Sequence, residues 1–197
     1  MKNFLLKKRN QGFIRFWLAQ LISQFGDRIN QMALVGLVAV KHAGDPASPV
    51  ELAKLLSFTI IPVFIIGPIA GVYVDRWDRR TTLFVCDFLR GLIVLFIAFY
   101  LMDMRSMLPM YAAVFLVFCL SRFYVPAKMS FIPDIVDERD LLIANSLVSV
   151  TGMIAFVLGA LLGGLIVEWH GPQGGFIGGA QTFFISGILV FSIARFT

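Results

Sequence analysis

The chain has 197 residues, of which 58% are hydrophobic and only 15% charged, and its mean hydropathy is +0.84. A soluble domain carries roughly 25% charged residues, so lipid is the solvent for most of this chain and a soluble globular domain is excluded. The net charge of +5 invites a nucleic-acid reading, but no soluble face gathers the charges into a patch.

Met1–Arg9 is basic and an apolar run follows, as at a secretory signal. That run, 13–40, is too long for a signal, contains Asp27 and Arg28, and lacks a small-x-small cleavage site, so it reads as a retained first helix. A helix crossing a bilayer core needs about 20 residues. Six stretches meet that length: 13–40, 52–74, 81–101, 108–125, 142–167 and 176–194. The separators 42–51, 75–80, 102–107, 126–141 and 168–175 carry the charges and turn residues. Unpaired backbone is too unfavourable in lipid for anything but helices or closed barrels, and these runs are too long for barrel strands. The expected fold is therefore all-α, a single six-helix transmembrane bundle over 1–197.

Lys and Arg set the orientation. With the N-terminus inside, twelve fall in inner segments (Lys2, Lys7, Lys8, Arg9, Arg15, Arg76, Arg79, Arg80, Arg122, Lys128, Arg139, Arg195), three in outer ones (Lys41, Lys54, Arg105), and Arg28 and Arg90 within helices. This places both termini in the cytoplasm and the chain in the cell (inner or plasma) membrane. Cys86 and Cys119 lie in apolar runs and read as packing residues. His42 and His170 are far apart, so no metal site is expected, and no nucleotide, cofactor or hydrolase motif is present.

Helix one carries Gln20, Gln24, Asp27 and Gln31 at spacings of 4, 3 and 4, a stripe on one face flanked by Arg28 and Asn30. A charge at membrane depth costs about 2.5–3.5 kcal/mol on insertion scales, and such residues are pathway or coupling candidates by default. The bland alternative is a structural pair held by neighbouring helices. Between helices two and three the chain reads Gly71-Val-Tyr-Val-Asp75-Arg76-Trp-Asp78-Arg79-Arg80. A connection this short forces an antiparallel helix pair, Gly71 permits close backbone approach, and Asp78 is placed to cap helix three. Asp87 and Arg90 sit three apart near the inner end of helix three, able to pair with each other or to join the loop's charges. Arg122 closes helix four. Gly152, Gly159, Gly163 and Gly164, with Ala160, give helix five small-residue spacings that allow close helix contact.

The loop resembles the signature of the major facilitator superfamily, with Gly71, Asp75, Arg76, Arg79 and Arg80 on its positions and Asp78 where the broad pattern has glycine. Phe16-Trp17, Gln20 and Ser23-Gln24-Phe25-Gly26-Asp27 are similar to helix one of its drug and siderophore exporter branch. Tyr124-Val-Pro126-Ala127, Ile132-Pro133-Asp134-Ile-Val136, Asn145-Ser146-Leu147 and the Asp87-x-x-Arg90 pair resemble later parts of the same branch. The resemblance runs nearly the whole chain and covers the N-terminal half of a 12-helix fold. It implies a secondary transporter, or half of one, exporting a small amphipathic molecule by alternating access. The proton gradient would supply the energy, with no cofactor. Gln20, Gln24, Asp27, Arg28 and Gln31 would face the substrate cavity with Asp27 as the titrating group. Gly71, Asp75, Arg76, Asp78, Arg79 and Arg80 would form the cytoplasmic gate, and Asp87, Arg90 and Arg122 a gating or structural network. The glycine-rich helix five lacks the Gly-Pro pair of the antiporters, since Ala160 follows Gly159. Expected partners are the bilayer, the small-molecule substrate and a second six-helix body, either a C-terminal half or another copy; the abrupt end after helix six favours the former. Two other readings stay open: a non-transporting accessory subunit of a membrane complex, and a homodimeric, channel-like half-transporter.

Overall fold

The computed structural model describes residues 11–46, 48–104 and 106–193, and the description is all-helical. The basic start, Arg105, and the expected helix end at Ala194 with Arg195 lie outside these residues. Helix α1 is Gln11–Lys41, α2 Ser48–Ile65, α3 Gly67–Val74, α4 Arg79–Phe96 continued by a π turn at Ile97–Leu101, α5 Leu108–Ile135 and α6 Leu141–Phe191. α2 and α3 form one rod bent by 49°. The bend falls where Pro62 and Pro68 remove backbone donors from successive turns. α6 is broken at Gly171, which takes φ 69° and ψ 176°, into arms at 141–170 and 172–191. Pro172 disfavours helical backbone at the residue before it, and glycine alone reaches that positive φ without strain. Six rods result.

By length and apolarity, three helices among the described residues could cross a membrane, or four if the bent pair is one span. α1 is long enough at 31 residues, but its polar stripe removes it from that set. Two expected separators are shorter than predicted. The eight-residue turn at 168–175 contracts to Gly171. The expected loop at 126–141 is mostly helix, because α5 runs through Pro126 and Pro133 to Ile135. Membrane helices tolerate prolines where neighbouring structure satisfies the freed groups. This extension moves Lys128 from the expected loop into the helix and leaves Arg122 in mid-helix, not at its end.

Two apolar cores fill the bundle. One joins Phe13, Phe16, Val74, Leu83, Ile132, Ile135 and Val190 at the end that carries the α3–α4 loop. The other joins Leu34, Leu37, Leu55, Leu101, Met110, Val114 and Phe176 toward the opposite end. α1 packs against α6 along a seam of small residues. A Cβ on Gly159 would lie 2.9 Å from Arg28 Cβ, one on Gly163 2.9 Å from Ile29 Cα, and one on Gly179 would land on the Asn30 amide. Gly152 meets the Gln24 amide, with 3.0 Å to its oxygen. Gly164 and Gly71 face open space, so neither supplies the close approach expected of it; Gly164 lies one residue, about 100°, around the helix from the seam.

Because the Gly163 position abuts backbone, Gly163→Leu should loosen the bundle by about 1–3 kcal/mol through overpacking. Gly164→Leu should leave stability nearly unchanged. Thermal unfolding in mixed micelles separates the two, and equal melting of both variants would contradict the seam.

Candidate functional site

Between the two apolar cores lies a polar layer to which four rods contribute. α1 supplies Ser23 and Asp27, α4 supplies Asp87 and Arg90, α5 supplies Ser121, and the second arm of α6 supplies Ser186. On each rod these residues fall in the gap between its segments of the two cores.

Arg90 is the hub. Its side chain is 1% exposed, and Asp87, one turn before it on α4, is 0% exposed. The guanidinium donates to Asp87, to Asp27 Oδ1 at 3.1 Å, to Ser23 Oγ at 3.1 Å and to Ser121 Oγ at 3.3 Å. Tyr124 and Phe183 lie over it, with ring centroids 4.6 and 4.5 Å from the guanidinium carbon. Asp87 also accepts from Ser23 Oγ at 3.0 Å and Ser186 Oγ at 2.6 Å. Three donors from three rods therefore fix Asp87. Asp27 differs: its side chain is 35% exposed, and it borders a narrow cleft lined by Asn30, Gln31, Leu34, Ile97, Val117 and Phe176 among others. The cleft leaves about 20 Å³, room for about one water molecule.

The arrangement revises several expectations. Asp87 and Arg90 sit mid-helix, not near its inner end, and pair with each other and with α1, not with the loop. The helix-one stripe is not one shared wall. Its residues spread over about 16 Å of helix axis, so they meet different neighbours. Gln20 is fully buried, and among the described residues its amide has no hydrogen-bond partner. Gln24 lines an open groove with Lys128, while Asp27 and Gln31 line the cleft. Arg28 donates to Gln31 Oε1 at 2.6 Å and stacks on Phe156 at 4.0 Å, so it does not partner Asp27 directly. Ser23, Ser121, Tyr124 and Ser186 join the layer without having been singled out as site residues. Isolated hydroxyls on apolar helices carry no distinguishing spacing.

The α3–α4 loop, expected to form the cytoplasmic gate, makes contacts beyond itself. Asp78 caps α4, accepting from Thr81 N at 2.7 Å. Arg79 pairs with Asp134 of α5 at 2.6 Å, and Arg80 donates to the Phe191 carbonyl at the end of α6 and lies over its ring. The bases thus tie α4 to the ends of α5 and α6. Among the described residues, Asp75 and Arg76 are exposed and make no ion pair or side-chain hydrogen bond. Arg122 is half-buried in mid-α5, and among the described residues its Nε has no partner.

The structure thus holds a buried layer of ionisable groups inside an apolar six-rod bundle, with a basic loop between rods two and three. The sequence model of the Major Facilitator Superfamily matches residues 16–196. The chain belongs to the major facilitator superfamily. Its members are integral membrane transporters, which places the chain apart from the enzymes. It is 28% identical to the MFS-type transporter YfiS of Bacillus subtilis over 95% of this chain and 43% of the relative. It is 29% identical to macrolide efflux protein A of Streptococcus pyogenes over 76% of this chain and 37% of that one. It is 24% identical to the lysophospholipid transporter LplT of Yersinia enterocolitica over 82% and 37%. The chain thus spans about 40% of the length of these superfamily relatives.

Removing Arg90 strands two carboxylates in the apolar interior. Arg90→Met should therefore lower stability by about 3–5 kcal/mol, the range for breaking a buried ion pair from one side. Asp134→Asn, which breaks the exposed Arg79 pair, should change it by no more than about 1 kcal/mol. Unfolding midpoints of the two purified variants check this, and an Arg90→Met protein as stable as wild type would refute the hub.

Proposed function

We propose that this chain is the N-terminal six-helix half of a proton-coupled exporter, an antiporter that moves a small amphipathic molecule by alternating access. Both termini would lie in the cytoplasm, in the cell's inner or plasma membrane. Such transporters hold substrate near the midplane between two bundles that rock against each other. The observation that carries the reading is the inequality of the two carboxylates on Arg90. The trio Asp27, Asp87 and Arg90 holds one cation against two acids, a surplus negative charge that a proton cancels. Asp87 is saturated by three donors, while Asp27 opens onto the cleft, so Asp27 is the group a proton can reach. Taking one up weakens its hold on Arg90 and loosens α1 from α4 at this layer, which links protonation to helix position.

Support for a second bundle comes from the span of the relatives, about 40% of whose length is present, and from the first arm of α6. There Met153, Leu161 and Trp169 are 73%, 62% and 72% exposed, an apolar face that lipid, a C-terminal half or a second copy would cover. The exposed Asp75 and Arg76 fit a gate that closes against the other half. Amphipathic cargo is suggested by the functions for which two relatives are named, macrolide efflux and lysophospholipid transport.

In proteoliposomes holding this chain with its complementary half, an imposed proton gradient should drive movement of a labelled macrolide or lysophospholipid. Asp27→Asn should abolish the pH-driven component while the protein still inserts and folds. Unaltered gradient coupling in that variant would discard the mechanism.

A further inference from the structure

α5 carries a charge that the polar layer leaves unused. Lys128 lies inside the helix, partly buried, on an open groove of about 500 Å³ between α1, α5 and the first arm of α6. Gln24 and Ser149 supply polar atoms to this groove, and Met129, Met153 and Phe156 make its apolar wall. The volume falls within the roughly 300–1,000 Å³ of small-molecule sites.

Among the described residues Lys128 has no hydrogen-bond or ion-pair partner. An ammonium within an apolar bundle is unfavourable without an acceptor, and membrane proteins place one where something pairs with it. The carboxylate that acts on Lys128 through space is Asp27, which lies beyond ion-pair range and is bonded to Arg90. A second cation, Arg28, adjoins the groove by stacking on Phe156, and its hydrogen-bond partner is the neutral Gln31. The groove therefore combines positive potential with an apolar wall and holds no acid of its own.

We infer that this groove is a binding site for an amphiphile with one anionic headgroup, the head on Lys128 and the apolar portion along Met129, Met153 and Phe156. This rests on the reading of the chain as half of a transporter of amphipathic molecules and narrows its substrate class. A lysine suits such a headgroup, because its three N–H donors and flexible stem can follow a phosphate or carboxylate. The methionines offer an adaptable surface to chains of varied shape.

The test is binding to the full chain in nanodiscs of neutral phosphatidylcholine, without any gradient. The probes are oleoyl lysophosphatidate, oleoyl lysophosphatidylcholine and inorganic phosphate, with occupancy read by native mass spectrometry. The anionic lysolipid should bind in preference to the zwitterionic one. Lys128→Met should reduce that preference about tenfold, the size of one lost charge-assisted hydrogen bond, and Lys128→Arg should retain most of it. Equal binding of the two lysolipids, or an unchanged preference in a folded Lys128→Met protein, overturns the inference. So does displacement of the lysolipid by millimolar inorganic phosphate alone, which would make the site one for free anions. Absence of the preference alongside intact gradient-driven transport removes this inference and leaves the proposed function standing. A retained preference with coupling insensitive to Asp27→Asn does the reverse.

Discussion

One guanidinium organises this bundle. Arg90 is buried among apolar rods, where an unpaired charge is untenable, and so every rod that approaches it contributes an acceptor or an aromatic face. α1 brings Ser23 and Asp27, α4 brings Asp87, α5 brings Ser121 and Tyr124, and α6 brings Phe183. Apolar packing in lipid is weakly directional, because lipid tails are as apolar as leucine. A charge that must be satisfied from several sides specifies which faces meet and at what height. The two apolar cores on either side fill space; the layer between them fixes register.

That register depends in turn on how close α1 can come to α6. Gly26, Gly159, Gly163, Gly175 and Gly179 line the seam, and added Cβ atoms there would meet Thr182, Arg28, Ile29, Ala33 and Asn30. Two of these neighbours, Arg28 and Asn30, are polar or charged members of α1. The glycines thus do more than permit packing: they let α6 press against the side of α1 that carries Arg28 and Asn30. In that orientation Ser23 and Asp27 point to Arg90 and Gln24 points to the Lys128 groove. Helix packing and charge placement on α1 are one constraint seen from two sides.

Much of this was legible from the chain. Apolar run lengths locate the rods, the loop signature resembles its family, and the Asp78 cap follows from an acid just before a helix. Asp27, Asp87 and Arg90 stand out because charges in apolar runs demand a reason. What spacing could not show was the partnership among them. Successive residues point about 100° apart on a helix, so Asp27 pairs across rods with Arg90 while Arg28 turns to Gln31 and Phe156. The reach of α5 was hidden for a related reason. Pro126 and Pro133 read as breakers by the rules of soluble helices, whereas packed neighbours in a bundle carry the helix through them to Ile135. Ser121 and Ser186 had no signal at all until folding brought them to Arg90 and Asp87.

The contrast between Asp87 and Asp27 shows how one layer can be both scaffold and moving part. A carboxylate held by donors from three rods cannot leave without stranding all of them, so Asp87 and Arg90 behave as a fixed unit. Asp27 is bonded through one Arg90 nitrogen and has a face on the cleft, so its release strands less: Arg90 keeps Asp87, Ser121 and two aromatic rings from α4, α5 and α6, and only Ser23 besides Asp27 comes from α1. The layer can therefore lose its α1 carboxylate and remain a folded layer. On the proposed mechanism, the unequal burial of two chemically identical groups lets the Asp27–Arg90 pair open while Ser23 still ties α1 to Arg90 and Asp87.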